Sequence, residues 1–264
     1  MLRNVYLKCL RDQRRGLAGW SIGIVALVLL ESALWPSLSN TAGMQDFVKN
    51  YPEPLRELFG LDEFGTGTGF LNIELFSMLL PTLFLVFAIG RGARAIAGEE
   101  EAGTLEVLLM TRVTPIRLVL EQAAVLATAA SALGTVLFVA VTVFSAVFGL
   151  GVAVGAALTG AVAMVLIAVE FGWLALAIGA ATGRRVLAIA LTSAFAVAAY
   201  VLYVASKLVD AVRPWGALSP FHQAIDGGPL GAGLPAAYGW LLSAGAVALV
   251  AGLPVFHRRD IAGV

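Results

Sequence analysis

The chain has 264 residues, 59% of them hydrophobic and 13% charged, with a mean hydropathy of +0.90 and a formal net charge of zero. A soluble domain carries roughly a quarter charged residues, so this composition excludes an ordinary soluble globule, and the neutral balance points away from a nucleic-acid partner. A single cysteine, Cys9, excludes an intramolecular disulfide framework, and the two histidines, His222 and His257, stand too far apart in sequence to suggest a structural zinc site.

In lipid every backbone polar group must be satisfied internally, which leaves helices or a closed barrel. The apolar runs here are long and do not alternate, so they predict helices. In residues 1–16, Leu2, Val5, Tyr6, Cys9 and Leu10 share one helical face, and Arg3, Lys8, Arg11, Arg14 and Arg15 lie mostly opposite. That pattern predicts an interfacial helix, serving either as an anchor for the first span or as a lever against a partner. Residues 17–38 form span one, broken only by Glu31. Five more apolar runs follow, so it reads as a retained span and not a cleaved signal peptide.

Residues 39–70 connect it to span two. Met44 to Leu61 is amphipathic, and Gly65-Thr66-Gly67-Thr68-Gly69 reads as a flexible linker. Span two covers 71–90, with Pro81 placed to kink it. A long connection, 91–116, comes next. From Gln122 to Val169 there is no Asp, Glu, Lys or Arg over 48 residues. At about 1.5 Å per residue that is ~70 Å of helix, two crossings of a ~30 Å core. Gly149-Leu150-Gly151 divides it into spans 122–149 and 151–181, and spans 186–206 and 234–256 complete six. The expected fold is a single all-α membrane domain over residues 1–264.

Six spans put both termini on one side, and loops rich in Lys and Arg stay cytoplasmic. Arg3, Lys8, Arg11, Arg14, Arg15, Arg91, Arg94, Arg112, Arg117, Arg184, Arg185, Arg258 and Arg259 fall on that side. The other side receives only Lys49, Arg56, Lys207 and Arg213. The termini and the 91–116 connection are therefore expected in the cytoplasm, and 39–70 outside.

The 91–116 connection is far longer than a minimal turn. Gly98 and Gly103 bracket Glu99, Glu100 and Glu101, so the chain can turn at either end. Thr104 can cap a short helix whose Leu105, Leu108 and Leu109 share a face, with Glu106 in its first turn. Thr114-Pro115 is a second helix start. Taken alone, these residues suit either a docking helix or a solvated turn. In the second case the acids pair with Arg91, Arg94 or Arg112 and the leucines dip into the interface.

The run A-I-A-G-E-E-E-A-G-T-L-E-V-L-L-x-T-x-V-T-P-I-R, Ala95 to Arg117, resembles the loop after the second span in permeases of the type-2 ATP-binding-cassette transporter family. Tyr51-Pro52-Glu53 with Leu58-Phe59-Gly60 is similar to that family's first external segment, and Leu218-Ser219-Pro220-Phe221-His222 to the motif before its last span. The family's proline directly after Thr or Ser is displaced here, to Pro115. The resemblance implies a coupling helix that fits a groove on a separate ATPase, with Glu99, Glu100, Glu101, Gly103, Thr104, Leu105 and Glu106 contributing to the joint. It further implies two copies of that ATPase carrying ATP and Mg, and a homodimer of this chain. The site would be a bacterial plasma membrane, the work export, and no cofactor would be bound by the chain itself. Consistent with this, no G-x-x-x-x-G-K-S/T occurs in the sequence.

Other classes leave fewer traces. H-E-x-x-H and G-x-S-x-G are absent, which argues against a zinc or serine membrane enzyme. A secondary transporter would favour internal repetition, which the chain does not display. Such a transporter or a channel would rest on Glu170, near the middle of span four, where an ionised acid costs ~2.5–3.5 kcal/mol. Glu170 is either a substrate, proton or cation contact in a cavity, or a carboxyl hydrogen-bonded to Ser131, Thr135 or Ser193. Glu31 suits a structural role or an exit-side contact. An anchoring subunit that binds an ATPase without moving a solute is a third class.

Overall fold

The structure is a computed structural model and describes residues 5–39, 56, 64–105, 114–231 and 233–258. Six helices in it are long and apolar enough to cross a membrane. They are α1 (Val5–Ser39), α2 (Gly67–Glu101), α3 (Pro115–Phe148), α4 (Val154–Thr182), α5 (Arg185–Leu208) and α7 (Ala237–Arg258). Between α5 and α7 lie a 3₁₀ turn, Arg213–Leu218, and a short helix α6, Pro220–Ile225. The chain is an all-helical, multi-pass membrane protein.

α4 is the centre of the bundle. Two thirds of its most apolar stretch is buried, against 17% for α1 and 22% for α7. It packs on α2, α3, α5 and α7. Lipid tails are as apolar as leucine, so burial alone does not hold helices together in a membrane; close van der Waals contact does, and small residues permit it. Gly92 of α2 lies so near α4 that an added Cβ would stand 2.1 Å from the Gly172 carbonyl oxygen. On α7, a Cβ at Gly245 would stand 2.9 Å from Glu170 Cα, and one at Gly252 would meet Ala177 at 3.0 Å.

Polar contacts fix which ends coincide. The Tyr6 backbone N–H at the start of α1 donates to Glu121 near the start of α3 (3.3 Å), and Glu121 also holds Arg117 at 2.8 Å. Phe256 near the end of α7 packs in one cluster with Leu105 and Leu118. The starts of α1, α3 and α5 and the ends of α2, α4 and α7 thus share one end of the bundle, called here the connection end. The α3–α4 turn lies at the other: Gly149 and Gly151 adopt φ +69° and +72°, and the Ser145 hydroxyl accepts from the Val152 N–H at 2.9 Å.

Several elements differ from expectation. No boundary separates an interfacial helix at residue 16 from span one, because α1 is a single helix of 35 residues. Its amphipathic first turns are pinned along α3, where the Tyr6 hydroxyl meets Thr128 at 2.8 Å. The Gly65–Gly69 linker is not a linker throughout. Thr66 caps α2 by accepting from the Gly69 N–H at 3.0 Å, and Gly67 lies against the Leu150 backbone. The rest of the expected external segment lies largely outside the described residues.

α2 also runs eleven residues past the expected end of span two, to Glu101 rather than residue 90. It contains two π-helical stretches, Asn72–Leu79 and Arg94–Gly98. The first ends just before Pro81. A proline lacks the N–H and crowds the carbonyl four residues back, and the wider π turn, seen in the Leu80 N–H bonded to the Leu75 oxygen, accommodates it. The second carries the helix through Gly98, which does not turn the chain. Buried Ile96 and Ala97 keep this stretch against the bundle.

Candidate functional site: the connection between the second and third helices

The three glutamates form the last turn of α2, not a loop. What ends the helix is Gly103, at φ +68°. The Thr104 N–H reaches the Glu99 carbonyl at 2.9 Å and the Gly103 N–H reaches Glu100 at 2.9 Å. This pair of bonds is a Schellman motif, which requires a left-handed residue where Gly103 stands. Thr104 was expected to cap a helix ahead of it. Its hydroxyl donates back to the Glu99 carbonyl at 3.1 Å and to the Glu99 carboxylate at 2.6 Å, and the helix it would cap lies beyond the described residues. Residues 106–113, and with them Glu106, Leu108 and Leu109, lie outside the described residues.

Two ties bind this end of α2 to the bundle. A Glu101 carboxylate oxygen accepts the Arg185 backbone N–H at 2.8 Å, the first turn of α5, where the helix dipole favours an anion. Leu105 is 1% exposed. It sits in a cluster with Ile96 of α2, Leu118 and Val119 of α3, Leu176 and Ala180 of α4, and Leu249 and Phe256 of α7. The segment entering residues 106–113 is therefore joined to α2, α3, α4, α5 and α7 within a few residues. On its far side Thr114 caps α3, accepting from the Arg117 N–H at 3.3 Å with Pro115 in the first turn.

The structure brings Glu99, Glu101, Gly103, Thr104 and Leu105 together, with Glu100 half-buried beside them. Leu105 points inward and is not a surface contact. Sequence reasoning did not find its partners or Arg185. Leu105 and Phe256 are 151 positions apart, and no local pattern pairs them.

Glu170 and Glu31 belong elsewhere and do not meet. Glu170 is 6% exposed on α4, packed under Gly245 of α7. Its Oε2 has no hydrogen-bond partner among the described residues. The expected serine and threonine partners are not used: Thr135 donates instead to the Ser131 carbonyl in its own helix, at 2.9 Å. Three residues on, Trp173 donates its indole N–H to the Ala123 carbonyl of α3 at 3.1 Å. Glu31, half-buried on α1, lies within electrostatic range of Glu74 of α2.

Comparison with curated proteins and with solved structures found no match. A family model described as an ABC-2 family transporter protein matches residues 3–212, well over half of the chain. That match takes in α1 to α5 and the whole α2–α3 connection, and with six membrane-crossing helices arranged around it the chain belongs to the ABC-2 family of transporter proteins as a membrane component.

Proposed function

We propose that this chain is the permease half of an ATP-driven exporter. ATP and Mg are bound and hydrolysed on a separate ATP-binding-cassette subunit, two copies of which act on two copies of this chain. The joint is the α2–α3 connection, with Glu99, Glu100, Glu101, Gly103, Thr104 and Glu106 at or beside the contact and Leu105 as its anchor. On this reading the connection end is cytoplasmic, in keeping with its arginines, and the membrane is the bacterial plasma membrane.

The observation that carries the reading is the anchoring of the connection. A displacement applied to residues 106–113 meets Leu105 on one side and Thr114-Pro115 on the other, and through them the ends of five helices. Packed helices shift as rigid bodies, so one push on this segment biases the whole bundle between inward and outward access. A second feature supports the paired arrangement. An apolar groove of about 540 Å³ runs between α2 and α5 past Leu85, Val86, Val197 and Tyr200. Beside it α5 exposes Val186, Leu191, Phe195 and Val201, a face for a second copy or an apolar substrate.

The test is the variant E99Q/E100Q/E101Q, expressed with the ATPase. The prediction is at least a tenfold (~1.4 kcal/mol) loss of co-purification or of coupled ATP hydrolysis. Full assembly and turnover in a membrane-inserted variant would remove the joint from this segment.

The Glu170 Oε2, without a hydrogen-bond partner among the described residues, favours one other reading, an ATPase-independent transporter driven by protons or cations. Under the permease reading E170Q keeps ATPase coupling. Proton uptake by liposomes containing this chain alone, abolished by E170Q, would favour the alternative.

A further inference from the structure

A cavity of about 300 Å³ opens at the connection end between α1, α2 and α3. It is separate from the α2–α5 groove and shares only Glu99 with the joint proposed above. Arg91, half-buried, and Arg94, exposed, line it from α2. Three positions apart on one helix, they are surface neighbours, and two like charges so placed repel. Among the described residues neither guanidinium forms an ion pair. Two acids, Glu99 and Asp12, also line the cavity and balance its formal charge, yet neither carboxylate stands within ion-pair distance of an arginine. Glu99 is engaged by the Thr104 hydroxyl at 2.6 Å, and Asp12 of α1 is exposed and makes no ion pair with either arginine.

The other walls change character with depth. Gln122 of α3 lies level with the arginines, its amide donating to Cys9 Sγ at 3.5 Å. One to two turns further into the bundle the lining is Phe87 on α2 and Leu126 and Ala129 on α3. Phe87 precedes Arg94 by seven residues and Ala129 follows Gln122 by seven, so the cavity passes from charged to apolar over about 10 Å at ~1.5 Å per residue. The volume is at the small end of ligand sites, ~300–1,000 Å³. Planar guanidinium forks match phosphate oxygens two at a time.

We propose that this cavity binds a phosphate group through Arg91 and Arg94, carried either on a lipid headgroup whose chain lies along Phe87 and Leu126 or on a soluble phosphate compound. Binding replaces the repulsion between the two arginines with two charge-assisted hydrogen-bonded pairs.

Cys9 is the chain's only cysteine and lines the cavity, so its alkylation reports occupancy directly. The full chain in detergent micelles is treated with N-ethylmaleimide, with phosphatidylglycerol, diacylglycerol of the same chains, or inorganic pyrophosphate added. Phosphatidylglycerol is predicted to slow labelling about fivefold once it exceeds its dissociation constant severalfold, and diacylglycerol to leave it unchanged. Slowing by phosphatidylglycerol alone assigns a lipid source; equal slowing by pyrophosphate assigns a soluble one. R91Q/R94Q should abolish the protection and R91K/R94K keep part of it. R14Q/R15Q, which removes the same charge from an exposed part of α1, should keep all of it. The proposal is overturned if diacylglycerol protects as well as phosphatidylglycerol, if protection survives in R91Q/R94Q, or if neither phosphate compound slows labelling in the unaltered chain. That last comparison decides the matter even where R91Q/R94Q does not fold.

Discussion

Gly103 and Leu105 do different work two positions apart. Gly103 at φ +68° occupies a conformation that costs an L-residue roughly 1–2 kcal/mol. Gly103→Ala should therefore fray the last turn of α2 and release Thr104 from Glu99. The measurement is amide hydrogen exchange over residues 98–105, which should quicken severalfold while the rest of α2 is unchanged. Leu105→Ala empties a site that is 1% exposed, a loss of about 2–3 kcal/mol at the low end for buried leucines. Because Leu105 points inward, the variant should still bind the ATPase but lose coupling, with ATP hydrolysis no longer responding to the permease. Loss of binding with coupling intact among the remaining complexes would mean that Leu105 is itself the contact. The glycine and the acids around it were legible in the sequence. Their geometry was not, because a glycine beside a charged run reads as a turn wherever it stands, and Gly98 proved helical while Gly103 did not.

Along the helices, the same small residues decide how closely two backbones approach. The number of spans followed from apolar length alone, and the Thr114-Pro115 signal coincides with the start of α3. Where α2 ends did not follow from composition. Arg91, Arg94 and three glutamates look like a loop, yet Ile96 and Ala97 are fully buried and hold the stretch helical. Hydropathy sums over such a segment, whereas packing acts on one face of it. The α2–α4 crossing at Gly92 and Gly172 was likewise invisible, since Gly92 stands between two arginines where a loop was expected, Gly172 stands in an apolar run, and the contact pairs residues 80 positions apart. Gly92→Ala would place a methyl 2.1 Å from a backbone oxygen. The helices must separate, at a cost of about 1–3 kcal/mol. The midpoint of thermal unfolding in detergent should fall by several degrees, whereas Gly16→Ala, with open space around it in a helix that favours alanine, should not lower it.

Across the whole molecule, four rods pack on α4 and α1 packs on α3, and one connection is fastened to nearly all of them at one end. Such an arrangement suits a motor that lies outside the chain, since the sequence holds no phosphate-binding loop of its own and the connection collects α2, α3, α4, α5 and α7 at a single point. The most direct measurement places a photo-crosslinking amino acid at Glu106 in native membranes and, as a control, at exposed Trp215 near the opposite end. The account predicts an adduct from position 106, identified by its peptides as an ATPase with a Walker sequence, whose yield changes when ATP is replaced by a non-hydrolysable analogue. An ATPase adduct from position 215 and none from position 106 would contradict it.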